Sequence, residues 1–187
     1  MTTSRDIAVV VGSLRNGSYN RMAARALMDL APSAHQLRLV EIGDLPLYNE
    51  DLDQHGSVPD AWTAFRMSVD RANAVLFITP EYNRSVPGVL KNALDVGSRP
   101  YGHSVWAKKP AAIMSVSPGA IGGFGANHHL RQSLVFLDMP ILQQPEAYIG
   151  QAATLFAEDG TLTNERTRAL FKSFMDSFAV LIGQMAD

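Results

Sequence analysis

The residues best suited to chemistry stand in one short run, Gly12-Ser13-Leu14-Arg15-Asn16-Gly17-Ser18-Tyr19-Asn20. Two hydroxyls, a guanidinium and the backbone amides of small residues make a donor set for an anion. An apolar run precedes this segment and a helical pattern follows it, so the amides converge where a helix dipole is positive. Spacing narrows the choice of anion. A dinucleotide fingerprint needs G-x-G-x-x-G and a nucleotide P-loop needs G-x-x-x-x-G-K-[ST]. Here Gly12 and Gly17 stand five apart, and no lysine precedes Asn20. A terminal phosphate monoester remains, of the kind that ends FMN. The same residues can also make a plain turn with an N-capping serine and a solvated arginine.

Two further segments hold residues of matching chemistry. In Pro80-Glu81-Tyr82-Asn83-Arg84-Ser85-Val86-Pro87-Gly88, Tyr82 offers a flat face and Asn83 both a donor and an acceptor. A flavin ring needs stacking or edge contact and hydrogen bonds to its nitrogens and oxygens. The alternative is a proline-bracketed turn whose tyrosine packs locally. Ser117-Pro118-Gly119-Ala120-Ile121-Gly122-Gly123-Phe124-Gly125 has four glycines in seven residues, which lets a backbone approach a planar ligand closely.

Other reactive side chains point elsewhere. The loop at residues 97–109 holds Tyr101, His103 and Trp106; it could line a cleft, with His103 itself solvated. Lys108 and Lys109 read as a solvated pair, and the carboxylates from Glu50 to Asp53 as a solvated loop. His128 and His129 lack the i, i+4 spacing of a helical metal pair, so no metal is expected. Zero cysteines excludes a thiolate nucleophile, a disulfide framework and a Cys-ligated metal.

The elements that position these segments follow from periodicity. Continuous apolar runs at residues 7–11, 74–79 and 110–117 are expected as buried parallel strands, with a weaker strand at 36–42 and a fifth at 140–148. Met22, Ala23, Ala26, Leu27 and Leu30 make one face of a first helix that Pro32 ends. A second helix begins at Pro59 or Asp60, with Trp62, Phe65, Val69 and Ala72 inward. A third spans 86–96, and a fourth spans 126–137 with Leu130, Leu134 and Leu137 inward. Thr163 is expected to cap a fifth, whose apolar set is Leu170, Phe171, Phe174, Phe178, Leu181, Ile182 and Met185.

Strands alternating with helices specify an α/β doubly wound, five-stranded parallel sheet. The small form with a ligand at its switch point has strand order 2-1-3-4-5 and is flavodoxin-like. At 187 residues and 47% hydrophobic content the chain suits one domain spanning 1–187. A net charge of −2 with scattered cations argues against nucleic acid or an anionic membrane as partner. No apolar run reaches the roughly 20 residues of a membrane span. The start, Met-Thr-Thr-Ser-Arg-Asp, is no secretory signal, so a cytoplasmic protein is expected.

With Gly12-Ser13-Leu14-Arg15-x-x-Ser18-x-Asn20, Pro80-Glu81-Tyr82-Asn83 and the Gly122-Gly123 loop in place, the chain resembles the NADPH-dependent FMN reductase family over nearly its whole length. Within that family it looks most similar to bacterial quinone and chromate reductases, which also reduce azo dyes. The resemblance implies that Ser13, Arg15, Ser18, Tyr19 and Asn20 bind the FMN phosphate. It implies that Pro80, Glu81, Tyr82 and Asn83 lie along the isoalloxazine and ribityl. Ser117, Gly119, Gly122 and Gly123 would approach the pyrimidine end of the ring. It implies no catalytic side chain, NADPH or NADH as co-substrate, and a quinone, azo compound, chromate or free flavin as acceptor; since nicotinamide and acceptor would need the same flavin face, a ping-pong cycle is expected. Homo-oligomers, dimers or tetramers with FMN sites near their interfaces, are also implied. Gly125, His128 and Arg84 depart from the larger or aromatic polar residues common at the tetramer contact.

Three rivals share some of these features. A flavodoxin electron shuttle would be more acidic and lack Arg15. A receiver domain would need a carboxylate cluster where Val10-Val11-Gly12-Ser13 stands. A flavin-binding module without turnover is separated by steady-state NAD(P)H oxidation.

Overall fold

Apolar runs without a polar break become the middle of the sheet. In the computed structural model, which describes residues 4–54 and 56–185, β1 (Arg5–Val11), β3 (Ala74–Thr79) and β4 (Ala111–Val116) lie side by side; β3 and β4 are buried along their full lengths. β2 (His35–Val40), mostly half-buried, takes one edge, and the short β5 (Ala147–Ile149) the other. All four pairings are parallel and the order is β2-β1-β3-β4-β5, the flavodoxin-like arrangement.

Each connection is a helix, as parallel pairing requires. The helices are α1 (Tyr19–Leu30), α2 (Asp60–Asp70), α3 (Gly88–Gly97), α4 (Phe124–Phe136) and α5 (Glu165–Gln184). Alternate strand residues face opposite layers. Ile7, Val9 and Val11 pack with Ala23 and Leu27 of α1 and Phe171, Phe174 and Phe178 of α5. Ala8 and Val10 pack with Trp62 and Phe65 of α2, Leu90 and Ala93 of α3, and Leu130 and Leu134 of α4. No described helix is long and apolar enough to cross a membrane.

Several boundaries differ from expectation; β2 ends at Val40 rather than 42 and α3 begins at Gly88 rather than 86. The fifth strand covers only Ala147–Ile149, not 140–148; upstream of it Ile141 makes a lone bridge to Ala111. Pro140 and Pro145 have no N–H to give a ladder, and the Gln144 side chain accepts from Glu146 N at 3.3 Å. The fourth helix begins two residues early, at Phe124, because Gly123 adopts the left-handed conformation that launches it. The cap of the last helix is Asn164, whose Oδ1 accepts from Thr167 N at 2.9 Å; Thr163 Oγ1 instead donates to Leu155 O.

Candidate cofactor site

The chain leaves β1 still on the ladder, with Gly12 N donating to Ile78 O at 2.8 Å. A Cβ at Gly12 would meet Leu90 Cδ2 at 3.1 Å and Thr79 Oγ1 at 3.3 Å, so the first loop lies against the end of β3. Gly17, at φ 65°, turns the backbone into α1, and Ser18 caps that helix by accepting from Arg21 N. Among the described residues, the amides from Ser13 to Ser18 donate to no intramolecular acceptor. Ser13 is only 4% exposed, yet its hydroxyl has no protein partner among them. Donors left open at a helix N-terminus suit an anion.

Arg15 and Asn20 complete this loop differently. Arg15 is exposed; its Nη2 donates to Gly17 O at 2.9 Å and its guanidinium lies 5.4 Å from the centroid of the Tyr19 ring. Asn20 is buried. Its Nδ2 donates to Val116 O at 3.2 Å, pinning the start of α1 to the end of β4, while its Oδ1 has no partner.

The second loop starts from buried Pro80 and closes a tight turn in which Tyr82 and Ser85 exchange both backbone hydrogen bonds at 3.0 Å. Asn83 (φ 52°) and Arg84 (φ 63°) are both left-handed, as in a type I′ turn, and asparagine tolerates that region. Tyr82 projects into solvent above the turn. Glu81 points away from it: Oε2 accepts from Ala126 N at 3.1 Å and Oε1 from Arg84 Nη1 at 2.7 Å. Burial opposes ionisation of Glu81, but the Ala126 amide, the Arg84 guanidinium and the Gly125 amide outweigh it and hold the carboxyl below its usual range. The carboxylate thus anchors α4.

The third loop is folded onto β5. Ser117 N donates to Ile149 O, and Ser117 Oγ accepts from Gly119 N at 3.1 Å. A Cβ at Gly122 would lie 2.6 Å from Tyr148 C, so the glycine permits close approach of this loop to β5. Gly123 similarly abuts Ser115, at 3.0 Å. Gly119 is open, with only Ser117 Oγ within reach of an added Cβ.

These contacts bring the three loops to one edge of the sheet. Gly12 meets Thr79 and Pro80, Gly123 meets Glu81, and Asn20 meets Val116. Of the nominated residues, Ser13, Ser18 and Asn20 are buried there, Arg15, Tyr82, Asn83 and Gly119 are exposed, and Tyr19, Glu81 and Ser117 are half-buried. Trp106 does not join them. It is wholly buried, donates from Nε1 to Leu94 O at 3.0 Å and packs on Phe65 and Phe77, so it lines no cleft. Gly97 makes room for it, since a Cβ there would fall 2.5 Å from the indole nitrogen. Asp53 is likewise no solvated carboxylate; it is paired with Arg66. Phe156, which stacks on Tyr19, was not foreseen, because nothing in local spacing ties residues so far apart in the chain.

The family model for NADPH-dependent FMN reductase matches residues 5–154. The chain belongs to that family. Among relatives, it is 64% identical over 179 residues to a quinone reductase of Pseudomonas putida, covering 96% of this chain and 95% of that protein. It is 47% identical over 176 residues to a 2-hydroxy-1,4-benzoquinone reductase of Burkholderia sp, covering 94% and 95%. Among solved structures, FerB, a flavoenzyme NAD(P)H:(acceptor) oxidoreductase from Paracoccus denitrificans, superposes with a TM-score of 0.90 at 41% identity, covering 97% of this chain and 98% of that one. As a family member the protein is an NAD(P)H-dependent oxidoreductase whose cofactor is FMN. Its residues fit that cofactor: the unpaired amides and Ser13 hydroxyl suit a phosphate dianion, and the exposed Tyr82 beside them suits a flat ring.

Proposed function

We propose that the three strand-end loops hold FMN and that the protein uses it to reduce quinones with NADPH or NADH, one substrate at a time. The convergence of the open amides of residues 13–18 with the Tyr82 turn, at neighbouring strand ends, carries this reading. Bound FMN supplies hydride chemistry at its N5 position. Ser13, Arg15 and Ser18 seat the phosphate, with Asn20 tying that seat to β4 and Tyr19 beside it. Pro80, Tyr82 and Asn83 frame the ring and ribityl. Glu81 contributes through its backbone, because its carboxylate is engaged with Ala126 and Arg84. Ser117 and Gly119 border the pyrimidine end, and Gly122 and Gly123 set that border by packing on β5 and β4.

Quinones are favoured as acceptors because two relatives that align over almost all of this chain bear quinone reductase names. Azo compounds, chromate and free flavin are the other acceptors to assay. Nicotinamide and acceptor would both need the one open ring face beside Tyr82, so their turnover is ping-pong. Initial rates against NADPH or NADH at several fixed quinone concentrations should give parallel double-reciprocal lines. Intersecting lines would mean a ternary complex and overturn the shared-face reading.

We also propose a homo-oligomer, a dimer or tetramer, acting in the cytoplasm. The cleft between α3 and α4 supports it. Lys91, Asp95 and Arg99 supply both charge signs along that cleft, and Val135 and Phe136 stand beside it 71% and 81% exposed. Lys91 and Asp95 already pair with each other at 2.8 Å, so it is the exposed apolar side chains beside them that a second copy would cover across a two-fold axis.

A further inference from the structure

We infer that Tyr19 serves the phosphate seat by positioning Arg15, and that residues 155–163 thereby belong to the seat. This rests on the reading of residues 12–20 as the site of the FMN phosphate. The observation is a tiered stack. The Arg15 guanidinium lies 5.4 Å from the Tyr19 centroid, and the Tyr19 ring stacks on Phe156 with centroids 6.3 Å apart and planes 21° from parallel. The hydroxyl of Tyr19 has no hydrogen bond among the described residues, so its position is set by the ring.

Phe156 is itself held by a small closed loop. It bridges Leu162, Ala157 N donates to Thr161 O at 2.9 Å, and Thr163 N donates to Leu155 O at 2.9 Å. Gly160 of the same loop lies against Met22 of α1, where a Cβ would meet Met22 Cγ at 3.3 Å. The loop therefore packs beside the first turn of the helix that the seat opens.

An arginine on an exposed loop must give up side-chain freedom to hold a phosphate. A cation–π contact restricts the guanidinium to the space above the ring beforehand. Tyr19 acts through its face, so phenylalanine should serve equally and an aliphatic residue should not.

The test is titration of FMN and of riboflavin, which lacks only the phosphate, into the full chain freed of flavin, with circular dichroism confirming the fold of each variant. Arg15→Ala should weaken FMN by about ten- to a hundredfold and leave riboflavin unchanged. Tyr19→Phe should keep both affinities. Tyr19→Leu should weaken FMN by about two- to fivefold, the range of an exposed cation–π contact, with riboflavin unchanged. Phe156→Leu should shift FMN in the same direction by less. Arg15→Ala combined with Tyr19→Leu should be no weaker than Arg15→Ala alone, since the ring acts through the guanidinium. Additive losses in the double variant, equal losses in Tyr19→Phe and Tyr19→Leu, or a parallel loss of riboflavin in Tyr19→Leu would each overturn the inference. An unchanged FMN-to-riboflavin ratio in Arg15→Ala would overturn the phosphate seat itself.

Discussion

Asp53 and Arg66 grip each other through two hydrogen bonds of 2.8 and 2.7 Å, with side chains 3% and 14% exposed. Arg66 also donates from Nε to Val96 O at 2.9 Å and lies 5.6 Å over the Trp62 ring, so one guanidinium ties the loop before α2 to α2 and α3. The hydrogen bond from Arg66, against the opposing effect of burial, holds the Asp53 carboxyl below its usual range.

A depressed carboxylate pKa has a definite sign in stability. Its contribution is complete above the unfolded value, about 3.9, and is lost as pH falls through the folded value. Asp53→Asn should therefore destabilise the protein at pH 7 by about 3 kcal/mol, because it leaves a desolvated guanidinium without its partner. Between pH 7 and pH 3 the gap between the variant and the parent should narrow, because the contribution is lost as pH falls toward and through the depressed folded value. Urea unfolding at both pH values measures this; an equal difference at the two would show that the pair contributes nothing through ionisation.

Ser13→Ala separates stability from binding. The Ser13 side chain is only 4% exposed and its hydroxyl has no protein partner among the described residues, but it keeps contact with solvent, since the buried side-chain atoms without a partner there are Asn20 Oδ1 and His35 Nδ1. Alanine should leave the stability of the flavin-free protein within about 0.5 kcal/mol of the parent, while weakening FMN by about three- to tenfold, the worth of one hydrogen bond. Thermal unfolding without flavin and an FMN titration give the two numbers. A loss of stability would mean that the hydroxyl is already satisfied within the protein.

How far the sequence discloses this arrangement depends on the range of each interaction. The runs that became β3 and β4 are legible because burial on both faces removes every polar residue but the last or next to last. The run of open donors from Ser13 to Ser18 is legible because its members are consecutive. The fifth strand was overextended because the apolar residues around Pro140 and Pro145 resemble a ladder that neither proline can complete. Glu81 looked like a cofactor contact, yet its carboxylate answers to Ala126, forty-five residues on. Trp106 sits in a Gly/Ser/Pro loop that could line a cleft, yet it is wholly buried against Gly97 at the end of α3, where any side chain would collide with the indole. What local pattern could not disclose were pairings set by the way helices close over the sheet.

The glycines of the third loop divide by what surrounds them. Gly122 stands at φ 67° with Tyr148 C only 2.6 Å from any added Cβ, so Gly122→Ala should destabilise the fold by about 2 kcal/mol or more through backbone strain and displacement of β5. Gly119 meets only Ser117 Oγ, at 3.5 Å, and Gly119→Ala should change stability by less than about 0.5 kcal/mol. Any weakening of FMN by Gly119→Ala at unchanged stability then reports close approach of the cofactor. If Gly122→Ala unfolds at the parent's midpoint, the loop does not sit on β5 as described.

The proposed oligomer can be tested at a single exposed ring. Phe136 on α4 is 81% exposed beside Val135, and the neighbouring cleft holds Lys91, Asp95 and Arg99. Burying one phenylalanine contributes about 1.5–3 kcal/mol, and a two-fold interface counts each contact twice. Placing a carboxylate there forces two like charges together across the axis or leaves each desolvated. Phe136→Glu should therefore shift the protein to smaller assemblies, or weaken self-association by at least about a hundredfold, in light scattering over a dilution series. The same charge on an exposed side chain away from the cleft should not, and Met67→Glu on α2 is the control, since Met67 is also largely exposed. FMN content should be followed in both variants. If Phe136→Glu dissociates and also sheds FMN while Met67→Glu keeps it, the cofactor site is completed by a second copy. Retention of FMN by the dissociated form would mean that one chain suffices to hold it. An unchanged assembly in Phe136→Glu would move the interface away from α3 and α4.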